Sequence, residues 1–325
     1  MQQVGHPVFL PVGLKEEIIL KKLLCMVSVL VLLTAMLTGC GSSARSAGSA
    51  SSGSNAAAGA GKDLTVKMLD VGQGDAILIR TAEQTILIDT GDTDEHEKFA
   101  AALKKEGVKT VDKLIITHPH ADHLGGASVV FKECEVRAVY DNGQTTNSKL
   151  YREYLKTIKA KGIAYQALRD GDTLDFGSGV SFKVLSPTEE MVKEGGKNKD
   201  GKVNLNLNSV VGRLTYGNFS MLFTGDAEQE TEAGILQRHK AEEIKSLVLK
   251  SPHHGSKTSS SPAYLKAAAP EAALISLGAG NEYHHPHQVT LDKYAKMNMK
   301  VWRTDQSGTI TVTSNGQGYE IKGEK

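Results

Sequence analysis

From residue 64 onward, short apolar runs are separated by polar turns, and their spacing changes along the chain. The runs at 64–69, 76–80 and 85–88 are joined by Gly- and Asp-rich turns and predict strands. Residues 95–105 follow a helical period, with Phe99, Ala102 and Leu103 on one side. Strands are expected at 113–116, 136–140 and 180–185, with an amphipathic helix at 149–161. Residues 189–203 are rich in Gly, Lys, Asn and Asp and read as a surface loop. A hairpin is expected at 209–215 and 219–223, around Tyr216-Gly217-Asn218. Beyond it come a helix near 228–239, a strand at 244–249, a helix at 262–268, a strand at 272–277 and a helix at 289–296. Runs at 301–304, 309–312 and 319–322 read as closing strands. Hairpins come first, and then strands alternate with helices. Two such halves predict an α/β fold with two facing sheets and helices outside, an αββα sandwich in one domain.

The first 62 residues break this pattern. Lys21-Lys22 precede a run from Leu23 to Leu37 that is apolar except at Ser28 and Thr34, and Leu37-Thr38-Gly39-Cys40 closes it. A basic start, a short apolar core and small residues before a processing point describe a secretory signal. The run is shorter than the about 20 residues a membrane-spanning helix needs. Leu-Thr-Gly-Cys resembles the lipobox of bacterial lipoproteins, which implies cleavage before Cys40 and acylation of its thiol. Residues 1–19 fit no signal pattern, and a start at Leu20 through an alternative codon gives a compact signal. Residues 41–61 are almost entirely Ser, Gly and Ala, a composition that buries too little apolar surface to fold. The expected organisation is a signal at 1–40, a flexible tether at 41–62 and a folded domain at 63–325. The domain is then exported and held by lipid at the outer face of the bacterial cytoplasmic membrane.

Charge narrows the partners. The chain has 38 basic and 37 acidic residues. Lys15, Lys21, Lys22, Arg45, Glu16 and Glu17 precede Lys62, and without them 34 basic residues face 35 acidic ones. The domain thus has no overall positive field, and nucleic-acid binding needs a local patch. Cys134 is the one cysteine in the domain, beside Cys25 and Cys40 in the leader, so no disulfide framework exists.

Chemistry concentrates in Thr117-His118-Pro119-His120-Ala121-Asp122-His123. His118 and His120, at alternate positions, can grip one metal ion, while Asp122 and His123 face a second. Two divalent ions about 3.5–4 Å apart are a recurrent device for hydrolysing esters and lactams. Eight of the eleven histidines fall in three clusters, each after an expected strand: His118, His120 and His123; His253 and His254; His284, His285 and His287. Asp89 and Asp226 also follow strands, in Leu-Ile-Asp-Thr-Gly and Phe-Thr-Gly-Asp. Strand ends can aim several ligands at one point. Asp is equally at home in turns and helix caps. His96 and His239 sit on polar helices and are expected to be exposed. Gly72 and Gly74 permit a tight turn near the site, and Asp75 either braces the ligands or belongs to that turn. The hydroxyls and Lys257 of residues 256–261 either cradle a phosphodiester or cap the next helix.

Asp89, the His118 cluster, Asp226 and His254-Gly255 together resemble the metallo-β-lactamase superfamily. With Asp70-Val71-Gly72-Gln73-Gly74-Asp75 and Pro252-His253-His254-Gly255-Ser256, the resemblance is closer to the hydrolase domain of ComEC competence proteins, without the channel part. It covers about 64–301. It implies that His118 and His120 bind one ion, that Asp122 and His254, with His123 nearby, bind the other, and that Asp226 bridges them. Asp89 would orient a ligand histidine, with Asp75 and Asn208 as further supports. A hydroxide between the metals would be the nucleophile. Asp122 also counts as catalytic. His285 and His253 are candidates to protonate a leaving group. The superfamily has a further metal histidine before the bridging aspartate. None lies between His123 and Asp226, and Asn208-Ser209 stands there instead. More oxygen ligation tilts the choice between Zn and Mn toward Mn.

The expected function is an extracytoplasmic metal-dependent phosphodiesterase, most simply a DNA nuclease. The alternatives are a phosphodiesterase on another surface polymer, such as the phosphorylcholine of teichoic acid, and a non-catalytic binding lipoprotein on the same fold. The partners expected are a phosphodiester substrate, such as DNA, and the membrane through Cys40. No protein partner follows from the sequence.

Overall fold

The computed structural model describes residues 64–325. The expected signal, Cys40 and the tether lie outside the described residues. The chain opens with an antiparallel meander, β1 (Leu64–Met68), β2 (Ile77–Arg80) and β3 (Thr85–Ile88). Helix α1 (His96–Lys105) leads to β4 (Thr110–Val111) and β5 (Lys113–Ile116). Short helices α2 (Ala121–Leu124) and α3 (Ala127–Glu133) precede β6 (Glu135–Val136) and β7 (Ala138–Asp141). Helix α4 (Lys149–Lys161) then leads to β8 (Ala164–Ala167). Strands β3, β5, β7 and β8 lie parallel.

The second sheet repeats this plan. Strands β9 (Thr173–Asp175) and β10 (Ser181–Ser186) come before helix α5 (Glu189–Lys193), and β11 (Val211–Tyr216) and β12 (Phe219–Phe223) complete the antiparallel half. Helices α6 (Gln229–Arg238) and α7 (Ala241–Ile244) lead to β13 (Val248–Lys250). Helix α8 (Pro262–Ala268), β14 (Ala272–Ile275), helix α9 (Gln288–Lys296) and β15 (Lys300–Arg303) follow. Strands β12 to β15 lie parallel. Helix α10 (Thr304–Ser307) leads back to β16 (Ile310–Ser314) and β17 (Tyr319–Gly323), which join the first sheet beside β1. The sheet orders are β17-β16-β1-β2-β3-β5-β7-β8 and β15-β14-β13-β12-β11-β10-β9, and β4 pairs with β6 apart from both.

Alternation along the strands explains the layers. Ile86 and Ile88 join the core shared by both sheets, with Val66, Ile79, Phe182, Leu214 and Phe223. Leu87 faces the other way, into a layer with Phe99 and Leu103 of α1, Phe131 of α3, and Tyr154 and Ile158 of α4. On the second sheet, Leu222, Leu249 and Ala273 pack against Ile235 of α6, Leu265 of α8 and Tyr294 of α9. Both faces of each central strand are buried, so these strands read as unbroken apolar runs.

Three local expectations are corrected. Within 189–203, residues 189–193 form α5, because Thr188 caps them by accepting from the Met191 amide. The strand expected at 244–249 begins only at Val248; Ile244 ends α7 and packs into the outer layer. The strand at 136–140 is two, because β6 pairs with β4 while β7 pairs with β5. Strand β8, missed in the sequence, is mostly exposed and carries no apolar alternation.

A methyl on Gly212 would lie 2.0 Å from the Phe182 ring between the sheets. Gly212→Ala is expected to cost about 1–3 kcal/mol by overpacking, read from urea denaturation. Adding Phe182→Leu should recover part of that loss.

Candidate metal centre

The expected ligands leave the carboxyl ends of parallel strands, where ligands of α/β sheets collect. Asp89 follows β3 and the histidine cluster follows β5. Asp226 follows β12, His253 and His254 follow β13, and His285 lies beyond β14. The two parallel halves meet at these ends, so loops far apart in sequence share one pocket.

Asp226 stands at its centre. Its Oδ1 lies 3.2 Å from His123 Nε2, and its Oδ2 lies 3.6 Å from His254 Nε2 and 4.0 Å from His118 Nε2. Asp122 Oδ2 lies 3.1 Å from His254 Nε2 and 3.6 Å from His123 Nε2. Asp122, His123, Asp226 and His254 thus bring one ligand atom each to a common point. His118 Nε2 and His120 Nδ1 approach within 2.9 Å alongside. Two atoms bound to one tetrahedral zinc at about 2.0–2.1 Å lie roughly 3.3 Å apart, so small movements would let this pair share an ion.

Two of the rings are fixed from behind. Asp89 accepts from His123 Nδ1 at 2.8 Å, and from the Thr117 amide and hydroxyl at 2.7 and 2.8 Å. His254 Nδ1 donates to the Ser276 carbonyl at 2.9 Å. A ring that donates from Nδ1 presents its Nε2 lone pair to a metal. His123 Nε2 and Asp226 Oδ1 are both buried without a hydrogen-bond partner. Unpartnered nitrogen and carboxylate atoms facing one another fit a divalent cation.

Electrostatics point the same way. Burial pushes His118 and His120 down, which favours the neutral form that a metal ligand needs. Burial opposes charge on His123, yet Asp226, Asp122 and Asp89 together push it well up. Burial likewise opposes ionised Asp226 and Asp122, but the surrounding histidines hold both well below the usual carboxylate range. The pocket demands positive charge, and a metal can supply it in place of protons.

A model of the metallo-beta-lactamase superfamily matches residues 69–279. The chain belongs to the metallo-β-lactamase superfamily. It is 34% identical over 264 residues to ComE operon protein 3 of Bacillus subtilis, covering 75% of this chain and 32% of that protein. It is 31% identical over 250 residues to competence protein ComA of Neisseria gonorrhoeae, covering 76% and 32%. It is 33% identical over 264 residues to recombination protein 2 of Haemophilus influenzae, covering 79% and 30%. The chain spans about a third of the length of these relatives. Among solved structures, CmlA, a diiron β-hydroxylase from Streptomyces venezuelae, has a TM-score of 0.50 and 16% identity, covering 77% of this chain and 54% of that one. That likeness is one of fold. The superfamily and the αββα fold both agree with the motifs and patterning read from the sequence, and the superfamily's metal-dependent hydrolases suggest divalent metals here.

Other expected residues fall as follows. Asn208 is buried, but its amide donates to Gln144 and to the Met191 carbonyl. Asn206 is the asparagine that reaches the histidines, with Nδ2 3.5 Å from His253 Nε2. His285 is half-buried, and burial and then His254, His253 and His287 push it down to about 3. A leaving-group acid needs a loaded proton, and these surroundings oppose one on His285. The segment 256–261 spends several of its groups internally. Ser259 donates to the Ala227 carbonyl, the Ser260 and Ser261 amides bind Glu232, and Ser261 caps α8. The helices' histidines are not simply exposed: His96 Nε2 meets the Gly125 carbonyl at 2.8 Å, and His239 Nε2 lies 2.8 Å from Asp170.

Sequence reasoning missed Lys250. It is fully buried, pairs with Asp75 and donates to the Gly225 carbonyl at 3.1 Å. Burial opposes its charge, but Asp75 and Asp226 outweigh that and push its pKa up. A lysine ending the apolar Val248-Leu249 run was the signal. Asp75 is braced in turn: its amide donates to the Asp122 carbonyl at 3.0 Å. Gly74, at φ +114, allows this approach, since a Cβ there would lie 2.3 Å from the Asp122 carbonyl oxygen.

Two outcomes are expected. Asp89→Asn should weaken Mn²⁺ or Zn²⁺ binding about 10–100-fold in a calorimetric titration, because His123 loses its charged acceptor. Lys250→Met should cost about 3–5 kcal/mol in urea denaturation with chelator present, by stranding Asp75. Adding Asp75→Leu should return much of that stability.

Proposed function

We propose that the chain is a metal-dependent phosphodiesterase that acts outside the cytoplasm, with DNA as its substrate. The observation that carries this reading is the convergence of Asp122, His123, Asp226 and His254 on one point, with His118 and His120 beside it. The relatives named for competence and recombination support DNA, and Leu37-Thr38-Gly39-Cys40 supports export with a lipid anchor. His118, His120, His123, His254, Asp122 and Asp226 would hold two divalent ions, Mn²⁺ or Zn²⁺. Such ions supply Lewis acidity toward a phosphoryl oxygen and lower the pKa of water. The chain's own contribution is position. Asp89 and the Ser276 carbonyl fix two imidazoles, and Lys250 offsets part of the carboxylate charge.

The test is the purified full chain with Mn²⁺ and linear single- and double-stranded DNA. Cleavage is expected, and Asp122→Ala and Asp226→Ala should each reduce it at least about a hundredfold, the scale of losing a main electrostatic element. Unchanged rates in both variants would sink the two-ion mechanism. Inactivity on DNA with cleavage of a bis-nitrophenyl phosphate ester would move the substrate to another surface phosphodiester. Inactivity on both, with no metal retained, would identify a binding lipoprotein.

A further inference from the structure

No histidine lies between His123 and Asp226, and the next histidines in the chain that approach Asp226 are His253 and His254. We infer that His253 is a further metal ligand beside Asp226 and that Glu228 orients it. This rests on the two-ion reading above.

Three observations carry the assignment. First, His253 Nε2 lies 3.7 Å from Asp226 Oδ2, the oxygen that His254 Nε2 and His118 Nε2 approach at 3.6 and 4.0 Å. Atoms sharing an ion with bonds of about 2.0–2.2 Å need this kind of separation, allowing for slight closure. Second, His253 Nδ1 lies 3.2 Å from the Thr258 hydroxyl and 3.3 Å from Glu228 Oε1. His123 Nδ1 is likewise anchored on an oxygen, of Asp89, and His254 Nδ1 on the Ser276 carbonyl. All three rings anchor Nδ1 on an oxygen and turn Nε2 toward Asp226. Glu228 is itself steadied by Asn204 and Asn206, at 2.9 and 3.3 Å.

Third, the backbone is bent for this purpose. Adjacent side chains of regular structure diverge. Here His253 (φ 50, ψ 48) and His254 (φ 51, ψ 27) are both left-handed. Two successive non-glycine residues in that region are strained and persist only where the surroundings hold them. The result turns both imidazoles onto the same carboxylate. The Asn206 amide beside His253 Nε2, at 3.5 Å, is a weak partner that a cation can displace.

The test is metal binding, read without activity. The full chain is stripped with chelator and titrated with Mn²⁺ or Zn²⁺ by calorimetry, and bound ions are counted by mass spectrometry after dialysis. Wild type should hold two ions. His253→Ala should keep one at wild-type affinity and weaken the other at least about tenfold, and the milder Glu228→Gln should weaken the same ion about 10–100-fold. With Co²⁺ as probe, the visible bands of one site should shift in both variants. Two ions at wild-type affinity in both variants would overturn the role of His253 while leaving the two-ion reading intact. Fewer than two ions in wild type would overturn both.

Discussion

Four carboxylates, Asp75, Asp89, Asp122 and Asp226, crowd one pocket, and three of them are almost wholly buried. Ionised carboxylates cannot stay buried without compensation. Lys250 supplies one positive charge, against Asp75 and near Asp226. Histidines supply the rest only if they bind protons, and His123 is pushed well up for that reason. Divalent ions solve the same problem and leave every imidazole lone pair in use. The arrangement of strand ends, turned backbone and anchored rings follows from that need.

The fold prepares the pocket before any side chain acts. Two sheets share a core, and each ends its parallel half at the same edge. Loops after β3, β5, β12 and β13 then converge without long excursions. Gly74 lets the first loop press on the Asp122 backbone, so the turn before β2 sits directly beneath a ligand. Removing charge from this base should unsettle both stability and metal affinity, because the same residues serve each.

Much of this was legible in the sequence. Ile86, Leu87 and Ile88 announce a strand buried on both faces, and Asp89 directly after them announces a strand-end acid. His118, His120, Asp122 and His123 carry their spacing openly. Other features were not legible, for physical reasons. Lys250 ends an apolar run, but its role shows only once Asp75, far away in sequence, is placed against it. Glu228 stands just before α6, where acids are common, and only the fold sets it against His253 and the loop holding Asn204 and Asn206. Asn208 was the reasonable choice by position, yet the turn before β11 presents Asn206 instead. The edge strand β8 lacks apolar alternation because most of its residues are exposed, and β9, with Leu174 alone buried, is too short to show a period.

The central claim is that one buried carboxylate, Asp226, organises a two-ion site between the ends of two sheets. Anomalous diffraction from crystals of the Mn²⁺-loaded chain tests it most directly. The account predicts two peaks about 3.5–4 Å apart on either side of Asp226, one beside Asp122, His123 and His254 and the other beside His118 and His120. A single peak, or peaks away from Asp226, would contradict it.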